Sequence, residues 1–345
     1  MHHLSYLQAI VIGLIQGITE LFPVSSLGHN VLIPALLGPS WTASMNVGKQ
    51  ESPYLAIVVG LHVATAIGIT AYFWRDWVRI IAGFFTSLRP VLTLRPLELR
   101  TAEQKLAWMI IVATIPVGIT GLLFEHEFRV LFGVPSRAAI FLIANGVILY
   151  LGERLRPSKS READERLAAE THAEAGTGPR DGELVAAGPG RRPPGAHAAG
   201  QRALRQQEIT DAAAADGRLA RESFWQALII GAAQILALLA GISRDGVTIV
   251  AGMFRGLPRI DAARFAFLLA TPVILAAGVL KIGDLFGSLG NGIRPQILVA
   301  SVVAGVAAYL SVRFLMKYFQ TRTLTPFAVY CVVFGGASLL YLGLK

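Results

Sequence analysis

Gln16-Gly17-Ile18-Thr19-Glu20-Leu21-Phe22-Pro23-Val24-Ser25-Ser26-Leu27-Gly28-His29 interrupts an apolar run that begins at Leu4 and resumes through Leu37. An ionisable group at membrane depth is costly, so such a group marks function by default. Gln16 and Glu20 stand at i and i+4, which puts both on one face of a helix. Pro23 ends that helix, because it has no N–H and disfavours helical geometry at Phe22. Ser25 or Ser26 then caps a fresh helix whose free N–H groups face the break, a ready anion site. Glu20 and His29 lie nine residues apart with two serines between them, which in lipid is too costly for packing alone. Thr19 and Asn30, taken singly, read as groups bonded to neighbouring helices.

Composition sets the context. The chain has 345 residues, 54% of them hydrophobic and 15% charged, with a mean hydropathy of +0.56. Those values fit a polytopic membrane protein. The single cysteine, Cys331, sits in an apolar run, which excludes a disulfide framework and a thiolate metal cluster. The N-terminal run has no basic region ahead of it and carries Glu20, so it is expected to be mature structure rather than a signal peptide. A formal charge of +9 would suit nucleic acid, but no basic face interleaved with aromatics is present. Basic residues gather beside apolar spans instead, the pattern of membrane topology.

Taken in order, residues 1–37 read as a re-entrant pair, each half shorter than the roughly 20 residues that a span requires. A polar loop follows over Gly38–Pro53. Spans are expected at Tyr54–Trp74, Leu106–Phe124 (with Pro116 as a kink) and Ala138–Leu151. Between the first two, Arg75–Lys105 is a basic loop whose middle, Val78–Leu88, is apolar enough to extend a helix or lie at the interface. Glu125–Pro135 is expected to be a short loop. Arg154–Glu222 has no aromatic residue and twelve Arg or Lys against eleven Asp or Glu. Such a segment cannot bury enough apolar surface to offset chain entropy, so it is expected to be mostly disordered, with room for a short helix over Glu162–Glu170. Ser223–Gly256 reads as a second interrupted pair, followed by spans at Asp261–Phe286, Ile297–Met316 and Pro326–Leu344.

The two interrupted pairs align at a constant offset. Gly13, Gln16, Ser25 and Gly28 recur as Gly231, Gln234, Ser243 and Gly246, each 218 residues on. Ile148-Leu149-Tyr150-Leu151-Gly152 likewise returns as Leu339-Leu340-Tyr341-Leu342-Gly343. The expected fold is all-α, with two repeats of inverted topology, residues 1–153 and 223–345. Each repeat is a re-entrant pair plus three transmembrane helices, because an odd number of spans reverses the second repeat. The two broken segments then meet near the midplane. Basic residues concentrate after Trp74, after Leu151 and after Arg313. By the positive-inside rule that side, and the 154–222 insertion with it, is cytoplasmic and both termini lie outside.

Ala240-Gly241-Ile242-Ser243-Arg244-Asp245-Gly246 is the partner of the first motif. Ser243 can cap the next helix, with Arg244 in its first turn, and a guanidinium beside a helix terminus favours a phosphate oxyanion. Glycines on both sides let backbone and ligand approach closely. The alternative is that Arg244 pairs with Asp245 or Glu20.

At these residues the chain resembles the undecaprenyl-pyrophosphate phosphatase family linked to bacitracin resistance. The likeness rests on Gln16–Glu20 running into Pro23-Val24-Ser25-Ser26-Leu27-Gly28-His29, and on Gly241-Ile242-Ser243-Arg244-Asp245-Gly246. It extends through Ile115-Pro116, Gly121 and Arg264–Leu269. Ala240 stands where that family has Pro, and Asp245 where it usually has Ser. The resemblance implies hydrolysis of undecaprenyl pyrophosphate to the monophosphate carrier for cell-wall synthesis, in a bacterial plasma membrane, with the site open to the extracytoplasmic side. It also implies a divalent cation, Mg2+ or Ca2+, held by Glu20 with Gln16. Glu20, Ser26, His29 and Arg244 would be catalytic, and Ser25, Gly28, Ser243, Arg244 and Gly246 would hold phosphate. Ser26 activated by His29 and a metal-activated water stay open as nucleophiles. The expected partners are the polyprenyl pyrophosphate lipid and the bilayer, with a homodimer allowed and no nucleic acid.

Two other classes are weighed. A membrane acid phosphatase needs a second histidine downstream of a Ser-Arg pair, and no histidine follows His197. A lipid-phosphate or anion transporter would share the inverted-repeat architecture, but it leaves Ser26 and His29 without a purpose. His62 and Asn145 read as satisfied packing groups.

Overall fold

The computed structural model describes residues 5–38, 41–42, 53–92, 96, 98–132, 134–176, 210–280 and 292–344. Expected features over 43–52, 177–209 and 281–286 lie outside the described residues. The elements are α1 (Tyr6–Thr19), α2 (Ser26–Leu37), α3 (Pro53–Tyr72), α4 (Trp74–Leu92), α5 (Ala102–Phe132), α6 (Pro135–Arg154) and α7 (Ser158–Gly176). Then come α8 (residues 210–219), α9 (Phe224–Ala232) continued by a 3-10 turn (Ala233–Leu238), α10 (Arg244–Phe254), α11 (Arg259–Leu280), α12 (Arg294–Tyr318) and α13 (Thr325–Gly343).

Local chemistry sets the starts of these helices. Ser5 and Gln8 form a reciprocal capping box at α1, and Ser223 and Gln226 form another at α9. A proline occupies the first turn of α6, α12 and α13, where its missing N–H costs nothing. Among the described residues, five helices are long and apolar enough to cross a bilayer: α5 (over Ala102–Phe124), α6, α11, α12 and α13. The α3–α4 pair, bent by 87° around Phe73, makes a sixth candidate. The helices α1, α2, α9 and α10 are shorter, and α1 keeps Leu7, Leu14 and Ile18 on its outer face while its other face packs on α12. Leu122, Leu298, Val302 and Leu340 point outward from the spanning helices, which requires an apolar surround. The chain is an all-α, multi-pass membrane protein.

Packing is reciprocal between the ends of the chain. α1 lies on α12, α9 lies on α5, and α6 pairs with α13. Gly13 rests against the backbone of Ala300 on α12, and Gly231 against the backbone of Ala113 on α5. Small residues at a membrane helix crossing let backbones approach this closely.

Two expectations are corrected, and a third is borne out in part. Residues 125–132, expected in a loop, continue α5 to Phe132. Val78–Leu88, read as apolar enough to extend a helix or lie at the interface, lies in α4, which turns sharply away from α3 and exposes Trp74, Val78, Ile81 and Phe85 along one stripe. The insertion expected to be disordered is helical in its described flanks, with Glu162–Glu170 inside the longer α7.

The reason lies largely in charge pairing, to which Leu219 of α8 adds a buried apolar contact. Arg259 bonds Glu153 at 2.6 Å and Asp164 at 3.2 Å, and Arg156 bonds Asp164 at 2.7 Å. Ser160 donates to the Leu257 carbonyl at 2.7 Å. On the other flank, Arg264 lies between Asp216 at 2.8 Å and Asp76 at 3.0 Å, while Arg79 bonds both aspartates. Arg218 grips Asp261 through two bonds, at 2.6 and 2.9 Å. Composition alone does not reveal such partners, because they come from distant segments.

Candidate active site

The two breaks meet. Ser25, with φ 68°, holds a conformation that L residues adopt only under strain, of the kind that clusters at functional sites. Its hydroxyl accepts the Gly28 N–H at 3.2 Å as the α2 cap, and the Gly241 N–H of the second break at 3.2 Å. Gly241 has φ 117°, and a Cβ there would lie 2.5 Å from the Ala138 carbonyl oxygen. A Cβ on Gly28 would lie 2.9 Å from the Gly241 Cα. Only glycine fits this crossing. Asn145 on α6 braces it, donating to the Pro23 carbonyl at 3.0 Å and accepting the Ser243 N–H at 3.0 Å. Asn145 is thus a satisfied group, as expected, and it also fixes one break against the other.

Glu20 sits just beyond the last turn of α1 and is 7% exposed. Its Oε2 accepts from Gln16 Nε2 at 2.7 Å and from Ser26 Oγ at 2.6 Å. Its Oε1 accepts from Arg244 Nη2 at 3.1 Å. Arg244 Nε bonds Asp245 Oδ1 at 3.2 Å, so the ion pairing weighed for Arg244 is formed with both carboxylates. A guanidinium has five N–H donors, and these bonds engage only Nε and Nη2, which leaves Nη1 for an incoming oxyanion. Asp245 is buried, and its Oδ2 has no hydrogen-bond partner among the described residues.

Several expected roles change. His29 does not contact Ser26. Its Nδ1 faces the Ser25 carbonyl at 2.7 Å and its Nε2 the Tyr330 hydroxyl at 2.7 Å, and its ring stacks on Tyr330 and Phe334. A helical side chain leans back toward the N-terminus, which carries the His29 ring over the preceding carbonyl instead of toward the hydroxyl. Gly28 and Gly246 give their N–H groups to the Ser25 and Ser243 caps, the latter at 3.1 Å. Those four residues therefore build the backbone of the site, and their cap donors are spent. Gln16 turns its amide oxygen to Asn30 Nδ2 at 2.7 Å and its amide nitrogen to Glu20. Only this orientation satisfies both neighbours, because an ionised carboxylate can only accept. Gln16 orients Glu20 and does not offer it a shared oxygen.

One further group lies near the carboxylate. His62 of α3, read as packing, bonds the Val58 carbonyl through Nδ1 and brings Nε2 to 3.7 Å from Glu20 Oε2. A histidine inside an apolar span was the available signal. No three His, Cys, Asp or Glu side chains converge to hold an ion among the described residues.

This constellation joins a hydroxyl, a carboxylate and a guanidinium at the crossing of two broken helices. Comparison with known proteins gives the family of the whole chain. The sequence matches the family described as bacitracin resistance protein BacA over residues 9–177 and 203–337. It is 52% identical to the undecaprenyl-diphosphatase of Mycolicibacterium paratuberculosis (strain ATCC BAA-968 / K-10) over 99% of both chains. It is 52% identical to undecaprenyl-diphosphatase 2 of Frankia alni (strain DSM 45986 / CECT 9034 / ACN14a) over 97% of both, and 38% identical to the undecaprenyl-diphosphatase of Acidiphilium cryptum (strain JF-5) over 96% of both. The chain belongs to the bacitracin resistance protein BacA family.

Proposed function

We propose that this protein hydrolyses undecaprenyl pyrophosphate to undecaprenyl phosphate and inorganic phosphate, which returns the lipid carrier to cell-wall synthesis. The observation that carries the reading is the 2.6 Å bond from Ser26 Oγ to Glu20, next to Arg244. A nucleophile within reach of a base, the base in turn held by a third group, is the arrangement that activates a hydroxyl. Ser26 Oγ attacks the terminal phosphorus and passes its proton to Glu20. The bond to the bridging oxygen breaks, Glu20 passes its proton to the departing phosphate oxygen, and undecaprenyl phosphate leaves with Glu20 ionised again. Water then attacks the phosphoserine with Glu20 as base, which releases inorganic phosphate and restores the hydroxyl. Arg244 neutralises the developing charge on the equatorial oxygens. Gln16 and Arg244 keep the carboxylate oriented throughout.

The residues fit a divalent cation completed by the substrate. Mg2+ in phosphate enzymes is bound by one or two carboxylates plus phosphate oxygens, and Glu20 and Asp245, whose Oδ2 has no hydrogen-bond partner among the described residues, supply two carboxylates. When bound, the cation would neutralise diphosphate charge.

The fold around the site is read as two repeats of inverted topology, 1–153 and 223–345, with the insertion between them. Matching caps at Ser5 and Ser223, matching caps at Ser25 and Ser243, and the exchange of α1 and α9 onto α12 and α5 support this. The repeats differ where chemistry requires it. The position equivalent to Glu20 is Leu238, so one carboxylate serves the pair. The basic ends of α6, α11 and α4 bind the insertion flanks on one side, read as cytoplasmic, with both termini extracytoplasmic.

The test is phosphate release from undecaprenyl pyrophosphate by the purified protein in detergent, with and without chelator. Lipid movement in vesicles without phosphate release would favour the transporter reading and overturn this one.

A further inference from the structure

α4 turns one apolar face away from the rest of the protein. Trp74, Val78, Ile81 and Phe85 follow one another at intervals of four, three and four residues, and each is 49% exposed or more. The opposite face is packed. Ile80 and Ser87 are buried, and Trp108 of α5 donates to the Ser87 hydroxyl at 3.0 Å. The 19 residues of α4 reach about 28 Å, close to the thickness of a bilayer core. If α4 crossed the bilayer, its two ends would lie on opposite sides.

Both ends lie on one side. The second half of α4 meets the start of α5, where Gln104 donates to the Thr86 hydroxyl at 3.3 Å. The first half carries Asp76, which bonds Arg264 near the start of α11. α5 and α6 are consecutive spans, so the start of α5 and the end of α6 share a side. Arg259 at the start of α11 bonds Glu153 at the end of α6, which brings α11 to that side as well. The 87° bend after α3 therefore turns α4 along the bilayer surface. Two arginines flank its apolar stripe. Arg75 holds its guanidinium 5.3 Å from the centre of the Trp74 ring, and Arg89 stands exposed one turn beyond Phe85. Neither forms an ion pair among the described residues, whereas Arg79 turns inward to Asp76 and Asp216.

We propose that α4 is an interfacial helix that binds anionic phospholipid on the side of the membrane that carries the insertion. Its stripe lies in the outer acyl layer, and Arg75 and Arg89 reach from the edge of the stripe to headgroup phosphates. An apolar face with cations along its border is the arrangement of helices that lie in the bilayer surface. The occupant is the same lipid that the outward leucines of the spanning helices require. Two arginines without protein counter-ions favour a lipid of net negative charge over a zwitterionic one.

The experiment has two arms, both on the full-length protein. In vesicles of phosphatidylcholine and phosphatidylglycerol, nitroxide labels are placed through Trp74→Cys, Phe85→Cys and, as a mid-span reference, Ile111→Cys. Collisions with oxygen and with a water-soluble nickel chelate report depth, and the unsubstituted protein, whose Cys331 is buried, gives the blank. The labels at 74 and 85 are expected at one depth, just below the headgroups and shallower than the label at 111. A helix along the bilayer normal would separate them by about 16 Å. Such a separation overturns the placement. Labels fully open to the chelate also overturn it, and would leave the stripe to a protein partner. In the second arm the protein in detergent is offered equal amounts of the two lipids, and the retained lipid is counted by mass spectrometry. The parent is expected to enrich phosphatidylglycerol, and Arg75→Gln/Arg89→Gln to lose that enrichment by about fivefold for each arginine. Arg75→Lys/Arg89→Lys keeps the charge and should keep the enrichment, with thermal midpoints of both variants equal to the parent's. Equal retention of the two lipids by the parent, or unchanged enrichment in the Gln variant, overturns the anionic-lipid assignment.

Discussion

Arg244 Nη2 lies 3.1 Å from Glu20 Oε1, a contact between residues 224 positions apart in the chain. It joins the first helix break to the second, and each partner depends on the other. Without Arg244, Glu20 would be a buried carboxylate with only neutral donors around it. Without Glu20, Arg244 would turn wholly to Asp245. The substrate phosphate therefore enters a site whose charges are already held in place, so little reorganisation remains for the reaction itself.

Glu20→Gln and Arg244→Ala are each expected to lower turnover by about two to three decades, the usual effect of removing a charged transition-state contact. Both proteins should still insert and purify. Near-native turnover in either variant would remove that residue from the mechanism.

Ser26 and His29 separate two accounts of the nucleophile. Ser26→Ala removes the hydroxyl bonded to Glu20 and is expected to cost about a hundredfold or more in turnover. His29→Gln is expected to cost far less, because His29 reaches neither Ser26 nor Glu20. Trapping of a phosphorylated Ser26 in a rapid quench would establish the covalent step. Equal losses in the two variants would restore a His29 role in catalysis.

Gln16 lies against Glu20, with 2.7 Å between the amide nitrogen and the carboxylate. Gln16→Glu places two carboxylates at that separation, which favours a cation between them. It is expected to keep activity and to lower the metal concentration needed for half-maximal rate. Gln16→Ala frees Glu20 and should raise that concentration. A metal titration of phosphate release for the three proteins decides the matter, and identical curves would detach Gln16 from the cation.

The insertion divides into roots and middle. Replacing residues 177–209 by a short polar link is expected to preserve folding and hydrolysis, since closure entropy changes only logarithmically with length. The family match leaves 178–202 uncovered, in line with this. Arg264→Ala instead leaves the buried Asp76 and Asp216 with Arg79 as their one remaining shared partner, at a cost of about 3 kcal/mol, the lower end for a broken buried ion pair. Thermal unfolding in detergent should show the second variant alone to be crippled.

Gly241→Ala tests the crossing of the breaks. The positive φ and the contact with Ala138 are both incompatible with a Cβ, and such strain costs about 1–3 kcal/mol. A lowered thermal midpoint is expected, with Gly336→Ala, which meets nothing within 4 Å, unchanged as control.

By itself the sequence determined the spans, the two interruptions and the identity of Glu20, Ser26 and Arg244 as a group. These follow from local rules. Lipid penalises every charge and every open backbone group, so a proline, a glycine or a carboxylate inside an apolar run is conspicuous without any partner in view. Tertiary structure alone decided which hydrogen bonds those residues make. Ser26 and His29 share a helical face, but the Ser25 carbonyl and the Tyr330 hydroxyl, the latter 301 positions away, take both ring nitrogens. His62 stands 3.7 Å from Glu20 only because α3 carries it there. The roots of the insertion are ordered by ion pairs to α6, α11 and α4, and no count of apolar residues within the segment contains those partners. Periodicity and burial cost act along the chain, whereas hydrogen bonds and ion pairs depend on which distant atoms the packed helices bring together.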